Sequence, residues 1–233
     1  MAADVERFEI KVNFDAAQIG RATEVFDLDP QAGTNRRIWF GEVTGGRDGA
    51  DALPLLGRGV ILRVRVEDDG GDVTLKLRGP DGCVDVAGWA TRTAGLDGDA
   101  KVEGDWAARR LVSASLRTDL GPARHAVLDT DRPSLAALLS PGQRDLAADL
   151  LVPVDAVTLL GPVASRKWKD DDLEAELWTI GDLRFLEISA VTKKDPEKAL
   201  HRLEQRARDA GLTPDTGPDP KTTRVLRHLA TRT

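Results

Sequence analysis

The sequence predicts an α+β fold that is mainly β, a closed antiparallel β-barrel with helices packed outside it. Several short stretches alternate between apolar and charged residues, which is the period of a strand with one apolar face. The charged faces are unusually rich in lysine and arginine. A barrel would collect these faces in its interior, while the helices would cover the apolar faces outside.

Length and composition are typical of one folded unit. The chain has 233 residues, of which 41% are hydrophobic and 31% are charged. A chain of this length suits one large domain, and this composition can bury a core, unlike that of a disordered tail. We therefore expect a single domain over residues 1–233.

Charge and aromatic content narrow the class of partner. The formal net charge is -6, whereas a protein that binds duplex nucleic acid normally carries a positive field, so any basic site here must be local. Aromatic residues make up 4% and tyrosine is absent, which argues against a stacking platform for single strands. We expect a small-molecule partner and no duplex nucleic acid.

Cysteine content and hydropathy indicate the compartment. Cys83 is the single cysteine, so neither an intrachain disulfide nor a cysteine-based zinc site can form within one chain. The first residues lack the apolar core of a signal peptide, and no apolar run is long enough to span a membrane. We expect a cytoplasmic protein without a membrane partner.

The first predicted strand covers residues 7–14. It places four apolar residues on one face and Arg7, Glu9, Lys11 and Asn13 on the other.

Less regular segments follow. Asp15 is expected to cap a helix that runs to about residue 26. Residues 37–43 then form a strand, and the Gly- and Asp-rich run 45–57 is expected to be mostly loop with at most one helical turn.

A pair of strands joined by an acidic turn at 68–71 is predicted at residues 60–67 and 73–78. Their polar faces carry, in chain order, Arg63, Arg65 and Glu67, then Thr74, Lys76 and Arg78.

The second half of the chain continues in the same pattern. Residues 101–107 alternate, and residues 111–117 extend that strand or pair with it. A helical stretch at 134–151 is broken or capped again at Ser140 and Pro141. The remaining predicted elements are strands near 156–168, 173–179 and 183–191, a helix that begins at Asp195-Pro196 and ends at Gly211, and a short final helix at 221–230.

The charged strand faces have two interpretations. For any single strand, a solvated outer face is the better one. Several strands carry lysine or arginine on that face, however, and a shared inward ring of cations is costly unless something anionic fills it. Together the strands favour a basic tunnel that holds phosphates, which arginine and lysine bind well.

Several of these segments resemble motifs of the CYTH domain superfamily, also called triphosphate tunnel metalloenzymes. They are Arg7-Phe8-Glu9-Ile10-Lys11, Arg63-Val64-Arg65, Thr74-Leu75-Lys76 and Lys101-Val102-Glu103-Gly104-Asp105. The resemblance covers residues 6 to 212 and implies an eight-stranded antiparallel barrel. Members include class IV adenylate cyclases, thiamine triphosphatases, tripolyphosphatases and RNA triphosphatases.

The resemblance also implies roles for individual residues. The implied phosphate-binding residues are Arg63, Arg65, Lys76, Arg78, Lys101 and Arg166, with Lys167 or Lys169 as further candidates on the last of these strands. The implied ligands for Mg²⁺ or Mn²⁺ are Glu9, Glu103, Asp105 and Glu187. Lys11 and Lys76 are the implied catalytic residues, and Lys11 would stabilise charge or tune the nucleophile. For each acid, the simpler alternative is a salt bridge to a neighbouring base.

The sequence departs from the family pattern on its acidic side. Arg7 stands where the family has the first glutamate, Trp178 where it has an aspartate, and Ser189 where it has the last glutamate. Glu176 lies two residues before Trp178 on the same face. The phosphate-binding half of the motif set is therefore intact and the metal-binding half is thinned.

These observations leave three functional hypotheses. The first is a divalent-metal-dependent phosphohydrolase that acts on a triphosphate or another organic polyphosphate. The second is a binding module for a nucleotide or polyphosphate that has lost its metal site, and the third is a nucleotidyl cyclase of the class IV type. A monomer and a homodimer are both compatible with the sequence.

Two details near the chain's end concern the tunnel itself. Alternation places Trp178 on the charged face, where it would narrow the tunnel or stack on a base. Lys221 and Arg224 could close one tunnel mouth, although a solvated final helix is the simpler interpretation.

Overall fold

Nine strands of the described residues form one closed barrel. The computed structural model describes residues 5–44, 53–68, 70–79, 84–130, 133–170, 172–217 and 220–231. Around the ring, the strands follow the order β1-β5-β6-β4-β3-β2-β7-β8-β9, and β9 pairs with β1. Their bounds are β1 Phe8–Asp15, β2 Thr34–Val43, β3 Val60–Glu67, β4 Gly70–Arg78, β5 Asp99–Trp106, β6 Arg110–Asp119, β7 Val157–Lys169, β8 Glu174–Ile180 and β9 Leu183–Thr192.

Helices connect the strands and pack on the barrel. They are α1 Ile19–Val25, α2 Pro54–Gly57, α3 Val86–Thr93, α4 Pro122–His125, α5 Leu135–Leu138, α6 Pro141–Asp149, α7 Pro196–Asp209 and α8 Lys221–Ala230. Cys83 and the middle of the predicted turn at 68–71 lie outside the described residues. No helix in the described part of the chain is long and apolar enough to cross a membrane.

The expectation of eight antiparallel strands is wrong in two connected ways. Residues 110–119 form a separate strand, β6, which inserts between β5 and β4. The ring therefore has nine strands, and an odd number of strands cannot alternate in direction all the way around a closed ring. At least one neighbouring pair must be parallel. That pair is β1 with β5, in which Glu9 lies opposite Asp105.

The apolar faces of the strands point outward, and the helices cover them. On one side, Ile10, Val12 and Phe14 of β1 pack against residues of α1 and α7. On another side, the valines and leucines of β3 and β4 pack against α5 and α6. The inward-facing interpretation of the charged faces is therefore confirmed, because two of the three hydrophobic clusters cover the barrel from outside. The third cluster includes residues that line the cavity, among them Phe40, Trp178 and Phe185.

Most predicted helices form, with shifted ends. Asp15 ends β1 and accepts a hydrogen bond from the backbone of Ala17, and the helix starts only at Ile19. The break at Ser140 is confirmed, since Ser140 caps α6 in a capping box with Gln143. Helix α3 was not predicted, because it lies in a Gly- and Asp-rich stretch without clear periodicity.

A buried glutamine joins α6 to the strands that carry part of the site. The Gln143 side-chain amide donates to the carbonyl of Val73 on β4 at 2.8 Å and to that of Leu116 on β6 at 3.2 Å. Its oxygen accepts from the Thr118 hydroxyl at 3.0 Å. These bonds hold α6 over the seam between β4 and β6.

We expect Gln143→Leu to destabilise the protein by about 3 kcal/mol, because it leaves several buried polar groups without partners at about 1–3 kcal/mol each. Urea unfolding measures the change. The control is Gln205→Leu on the exposed face of α7, which should change the unfolding free energy by less than about 0.5 kcal/mol. Equal stability of the two variants would contradict this role of Gln143.

Candidate functional site

The barrel encloses a central cavity of about 420 Å³. Among the described residues, fourteen basic and seven acidic side chains line it. The whole chain has a net charge of -6, so the interior carries a local charge of opposite sign to that of the protein. Such an excess of enclosed cations attracts a polyanion strongly, because the low-dielectric walls concentrate the field.

The structure brings nearly all of the sequence-predicted site residues to this cavity. Those that line it are Glu9, Lys11, Arg63, Arg65, Lys76, Arg78, Lys101, Glu103, Asp105 and Glu187. They lie on the five strands β1, β3, β4, β5 and β9, so the barrel unites residues that are far apart in the sequence. Lys101 lies at the exposed rim, where it pairs with Asp99 at 2.7 Å.

Arg166 is the predicted residue that does not reach the cavity. Its guanidinium donates to the Asn35 side chain at 3.0 Å and to the Pro30 carbonyl, on the outside of the barrel. Lys167 and Lys169, the further candidates on this strand, line the cavity instead. The reason is the period of a strand, since a shift of one residue moves a side chain to the opposite face.

Asp105 is the centre of the densest charge cluster. Its carboxylate accepts from Lys11 at 2.7 Å, Lys76 at 2.9 Å and Arg78 at 2.6 Å. Lys11 also lies 2.8 Å from Glu9. Burial alone would raise the pKa of Asp105, but the three cations hold that pKa well below its usual value.

The strand order explains how these residues meet. Glu9 and Asp105 lie side by side in the parallel pair of β1 and β5. Lys76 and Arg78 come from β4, on the far side of β6. Strand β6 faces them with serines at 113 and 115, whose small side chains leave room for the longer bases to reach Asp105.

Lys11 and Lys76 respond differently to this cluster. Burial lowers the pKa of Lys11, but the charges of Asp105, Glu9 and Glu187 outweigh it and raise that pKa well above its usual value. For Lys76, burial dominates, and the neighbouring cations Arg78 and Lys11 add to it, so its pKa is lowered despite the contact with Asp105. Lys76 is therefore the ammonium whose charge is less fully compensated.

A second acidic pair lies on β8 and β9. Glu176 faces Glu187 directly across the two strands. Lys221, the first residue of α8, reaches both carboxylates, at 2.7 Å from Glu187 and 3.5 Å from Glu176. Burial would raise the pKa of Glu176, but Lys221 and Arg65 lower it to about 2.

Arg63 is a cavity-lining guanidinium that no described carboxylate contacts directly, although Asp72, Glu176 and Glu9 lie near enough to act on its pKa. Its neighbours on the adjacent strands are Phe40 and Thr74, neither of which carries a charge. Among the described residues it forms no salt bridge, and its Nε has no hydrogen-bond partner. Burial, followed by the nearby Arg65, lowers the pKa of Arg63 to about 10, so it stays positively charged at neutral pH.

Arg65, in contrast, is held by an acid. It makes two contacts with Asp72, at 2.9 Å from Nε and 2.8 Å from Nη2. Asp72 is also bonded by the Thr74 hydroxyl at 2.9 Å. Burial would raise the pKa of Asp72, but Arg65 and Arg63 lower it. This pair fixes the direction of Arg65 along the cavity wall.

A cluster of aromatic residues lines part of the cavity. Trp178 packs against Phe40 and Phe185, with 5.9 Å between ring centroids in both pairs, and all three rings are fully buried. Val225 and Leu226 of α8 cover them from outside. Trp178 therefore lines the cavity, on the charged face where alternation placed it, and its ring packs against two phenylalanine rings. Stacking of a base on Trp178 stays a prediction.

Sequence reasoning undervalued two residues that line the cavity. Lys221 is not on a solvated helix face, since its side chain is only 12% exposed and lies 4.2 Å from the centroid of the Trp178 ring. Arg36 was missed because the predicted strand began one residue later. Continuing the alternation of Ile38 and Phe40 backwards by one step would have found it.

The arrangement of acids does not fit a ready-made metal site. In the part of the chain that the structure describes, no group of three or more histidine, cysteine, aspartate or glutamate side chains could hold a metal ion. Glu9 and Asp105 share the ammonium of Lys11, while Glu176 and Glu187 share that of Lys221. Glu103 lies apart, 3.6 Å from Arg7.

Comparison with solved structures identifies the architecture. A candidate adenylate cyclase from Bacillus halodurans matches with a TM-score of 0.61 and 13% identity, over 94% of this chain and 98% of its own. A candidate adenylyl cyclase from Hippeastrum, described as having a dominant triphosphatase activity, matches with a TM-score of 0.59 and 17% identity, over 95% of each chain. The chain shares the fold of these two proteins.

Comparisons of the sequence give a different result from comparisons of the structure. No family model and no curated protein matches the chain. The resemblance seen in the strand motifs is therefore confirmed for the fold. The evidence about function comes from the side chains that line the cavity.

We expect Glu176→Gln to remove a pH-dependent part of the stability. The low pKa of Glu176 stabilises the fold above its usual pKa of 4.5, and this contribution is lost as the pH falls towards 2. At pH 6 the variant should be less stable by about 3 kcal/mol, since one pKa unit corresponds to about 1.4 kcal/mol. The gap should narrow as the pH is lowered to 3.

Chemical unfolding at several pH values measures this gap. Glu24→Gln, an exposed carboxylate paired with Arg21, is the control, and its stability difference should stay small throughout. A gap for Glu176→Gln that stays constant from pH 6 to pH 3 would contradict the assignment.

Proposed function

We propose that this protein binds a linear polyphosphate group, such as the triphosphate of a nucleotide or inorganic tripolyphosphate, inside its barrel. The observation that carries this proposal is the enclosed excess of cations, fourteen basic against seven acidic side chains around about 420 Å³. A neutral or cationic ligand would leave that excess uncompensated. A compact polyanion offsets it.

The chemistry of the cations supports phosphate over other anions. Arginine presents planar forks and lysine presents point charges, and these two groups bind phosphoryl oxygens well. Arg63 is the strongest single indication, because it lines the cavity, stays charged and forms no salt bridge with any described residue. An uncompensated buried charge is costly to keep unless a ligand pairs with it.

The two structural neighbours support the same ligand class. One is described as a candidate adenylate cyclase, and the other as having a dominant triphosphatase activity. Both descriptions concern compounds with a triphosphate group. The ligand chemistry derived from this cavity agrees with them.

We expect Arg63→Met to weaken tripolyphosphate binding between about 10- and 100-fold, because a hydrogen bond to a charged group contributes about 1.5–3 kcal/mol. Isothermal titration measures the affinity. Arg21→Met on the exposed face of α1 is the control, and its affinity should equal that of the wild type. Unchanged affinity of a folded Arg63→Met protein would refute the role given to Arg63.

The second candidate function is phosphohydrolysis with Mg²⁺ or Mn²⁺. It is favoured by the position of Lys11 and Lys76, which lie together against Asp105 in the cavity where the phosphates would bind. There the two ammonium groups would stabilise negative charge on phosphoryl oxygens during transfer. The requirement for a metal stays a prediction from the family resemblance. In the structure, the carboxylates that would bind the metal contact lysine ammonium groups.

This second candidate predicts phosphate release from tripolyphosphate or ATP in the presence of Mg²⁺ or Mn²⁺. Lys76→Met should lower the rate by at least about 100-fold, as expected for the loss of a group that stabilises the transition state. A colorimetric phosphate assay measures the rate. Release of cyclic AMP and pyrophosphate from ATP would instead favour a cyclase, and binding without any turnover would leave a binding module.

The cellular compartment, the oligomeric state and the class of partner also belong to this proposal. We propose a cytoplasmic protein, which acts as a monomer or a homodimer. A nucleic acid duplex is much too wide to enter a cavity of about 420 Å³, so the basic interior does not serve as a duplex-binding surface.

A further inference from the structure

Two lysines inside the barrel each lie between a pair of carboxylates. Lys11 contacts Glu9 at 2.8 Å and Asp105 at 2.7 Å. Lys221 contacts Glu187 at 2.7 Å and Glu176 at 3.5 Å. Four of the seven acids that line the cavity are thereby bridged in pairs by ammonium groups.

The strand register explains why each pair needs a cation. Glu9 lies opposite Asp105 in the parallel pair of β1 and β5, and Glu176 lies opposite Glu187 in the antiparallel pair of β8 and β9. Like charges directly opposite each other on neighbouring strands repel. The repulsion is larger in a buried site, so a positive charge between the two carboxylates is required.

We infer that Lys11 and Lys221 are built-in replacements for divalent metal ions, and that the cavity binds its polyphosphate without a metal. This inference rests on the proposed function. It assigns to Lys221, a residue of the final helix, a part in completing the anion site. In each pair, the ammonium group supplies the positive charge that a bound dication would otherwise supply.

The occupancy of the carboxylate oxygens supports this inference. Lys11 binds one oxygen of Asp105, while Lys76 and Arg78 bind the other. In the second pair, Ser165 donates to Glu176 at 2.8 Å, and Lys221 binds the facing oxygens of Glu176 and Glu187. A dication would have to displace these donors and then lie beside a buried ammonium.

The packing of α8 on the barrel fixes the position of Lys221. Val225 and Leu226 of α8 are buried in the same cluster as Phe40, Trp178 and Phe185. They anchor the helix so that its first residue points into the cavity, where the Lys221 side chain is only 12% exposed. Helix α8 therefore both packs on the barrel and neutralises its second acidic pair.

The first experiment is isothermal titration of tripolyphosphate into the wild-type protein, once with EDTA and once with Mg²⁺. We expect the affinity in EDTA to be within about threefold of that in Mg²⁺, or tighter, because free Mg²⁺ competes for the ligand. An affinity more than tenfold weaker in EDTA would overturn the inference. Absence of binding in both conditions would refute the proposed function itself.

The second experiment asks whether Lys221 occupies the place of a metal. In Lys221→Met, Glu176 and Glu187 face each other without their shared ammonium, and a divalent cation should then bind between them. We expect Mn²⁺ titration without phosphate, followed by electron paramagnetic resonance, to detect one bound Mn²⁺ in the variant. The wild type should bind at least tenfold more weakly.

Two controls make this result specific. Lys198→Met, on an exposed position of α7, should bind no more Mn²⁺ than the wild type. Adding Glu187→Gln to Lys221→Met should remove the gained Mn²⁺ site. Tight Mn²⁺ binding by the wild type, or no gain in a folded Lys221→Met protein, would contradict the role of Lys221.

Discussion

The structure depends on the compensation of charges that a closed barrel buries. Closing the sheet places the polar faces of nine strands around one cavity, and those faces carry bases in excess over acids. Buried charges are tolerated only when they are paired or when a ligand pairs them. Asp105, with three cations around one carboxylate, is the clearest case of internal pairing. Arg63, which forms no salt bridge among the described residues, is the charge that the proposed ligand would pair.

Barrel closure and charge pairing are linked through the strand count. Nine strands force one parallel pair, and the chain forms it between β1 and β5. That pair brings Glu9 beside Asp105 and makes Lys11 their common partner. The same topology leaves β8 and β9 with two facing glutamates, which a lysine from outside the barrel neutralises. The strand order therefore determines which acids lie side by side. The ammonium group between two acids then determines whether their oxygens remain available to a metal ion.

Prediction from the sequence succeeded where the signal was local. The alternation in β1, β3 and β4 assigned Lys11, Arg63 and Lys76 to the charged faces of their strands. In the structure, all three side chains line one cavity. It failed for Arg166, because the strand it lies on has charged residues at consecutive positions and its register cannot be deduced from alternation. Lys221 was undervalued for a different reason, since its helix is amphipathic and reads as an ordinary surface helix.

The sequence by itself determined the strands and their charged faces and motivated the proposal of an anionic ligand, because these arise from a two-residue period and from side-chain chemistry. The tertiary structure decided which face is enclosed, how many strands close the ring and which lysine meets which acid. Lys11 is 94 residues from Asp105 and Lys221 is 34 residues from Glu187. Contacts over such separations follow from packing and strand order, which no local pattern encodes.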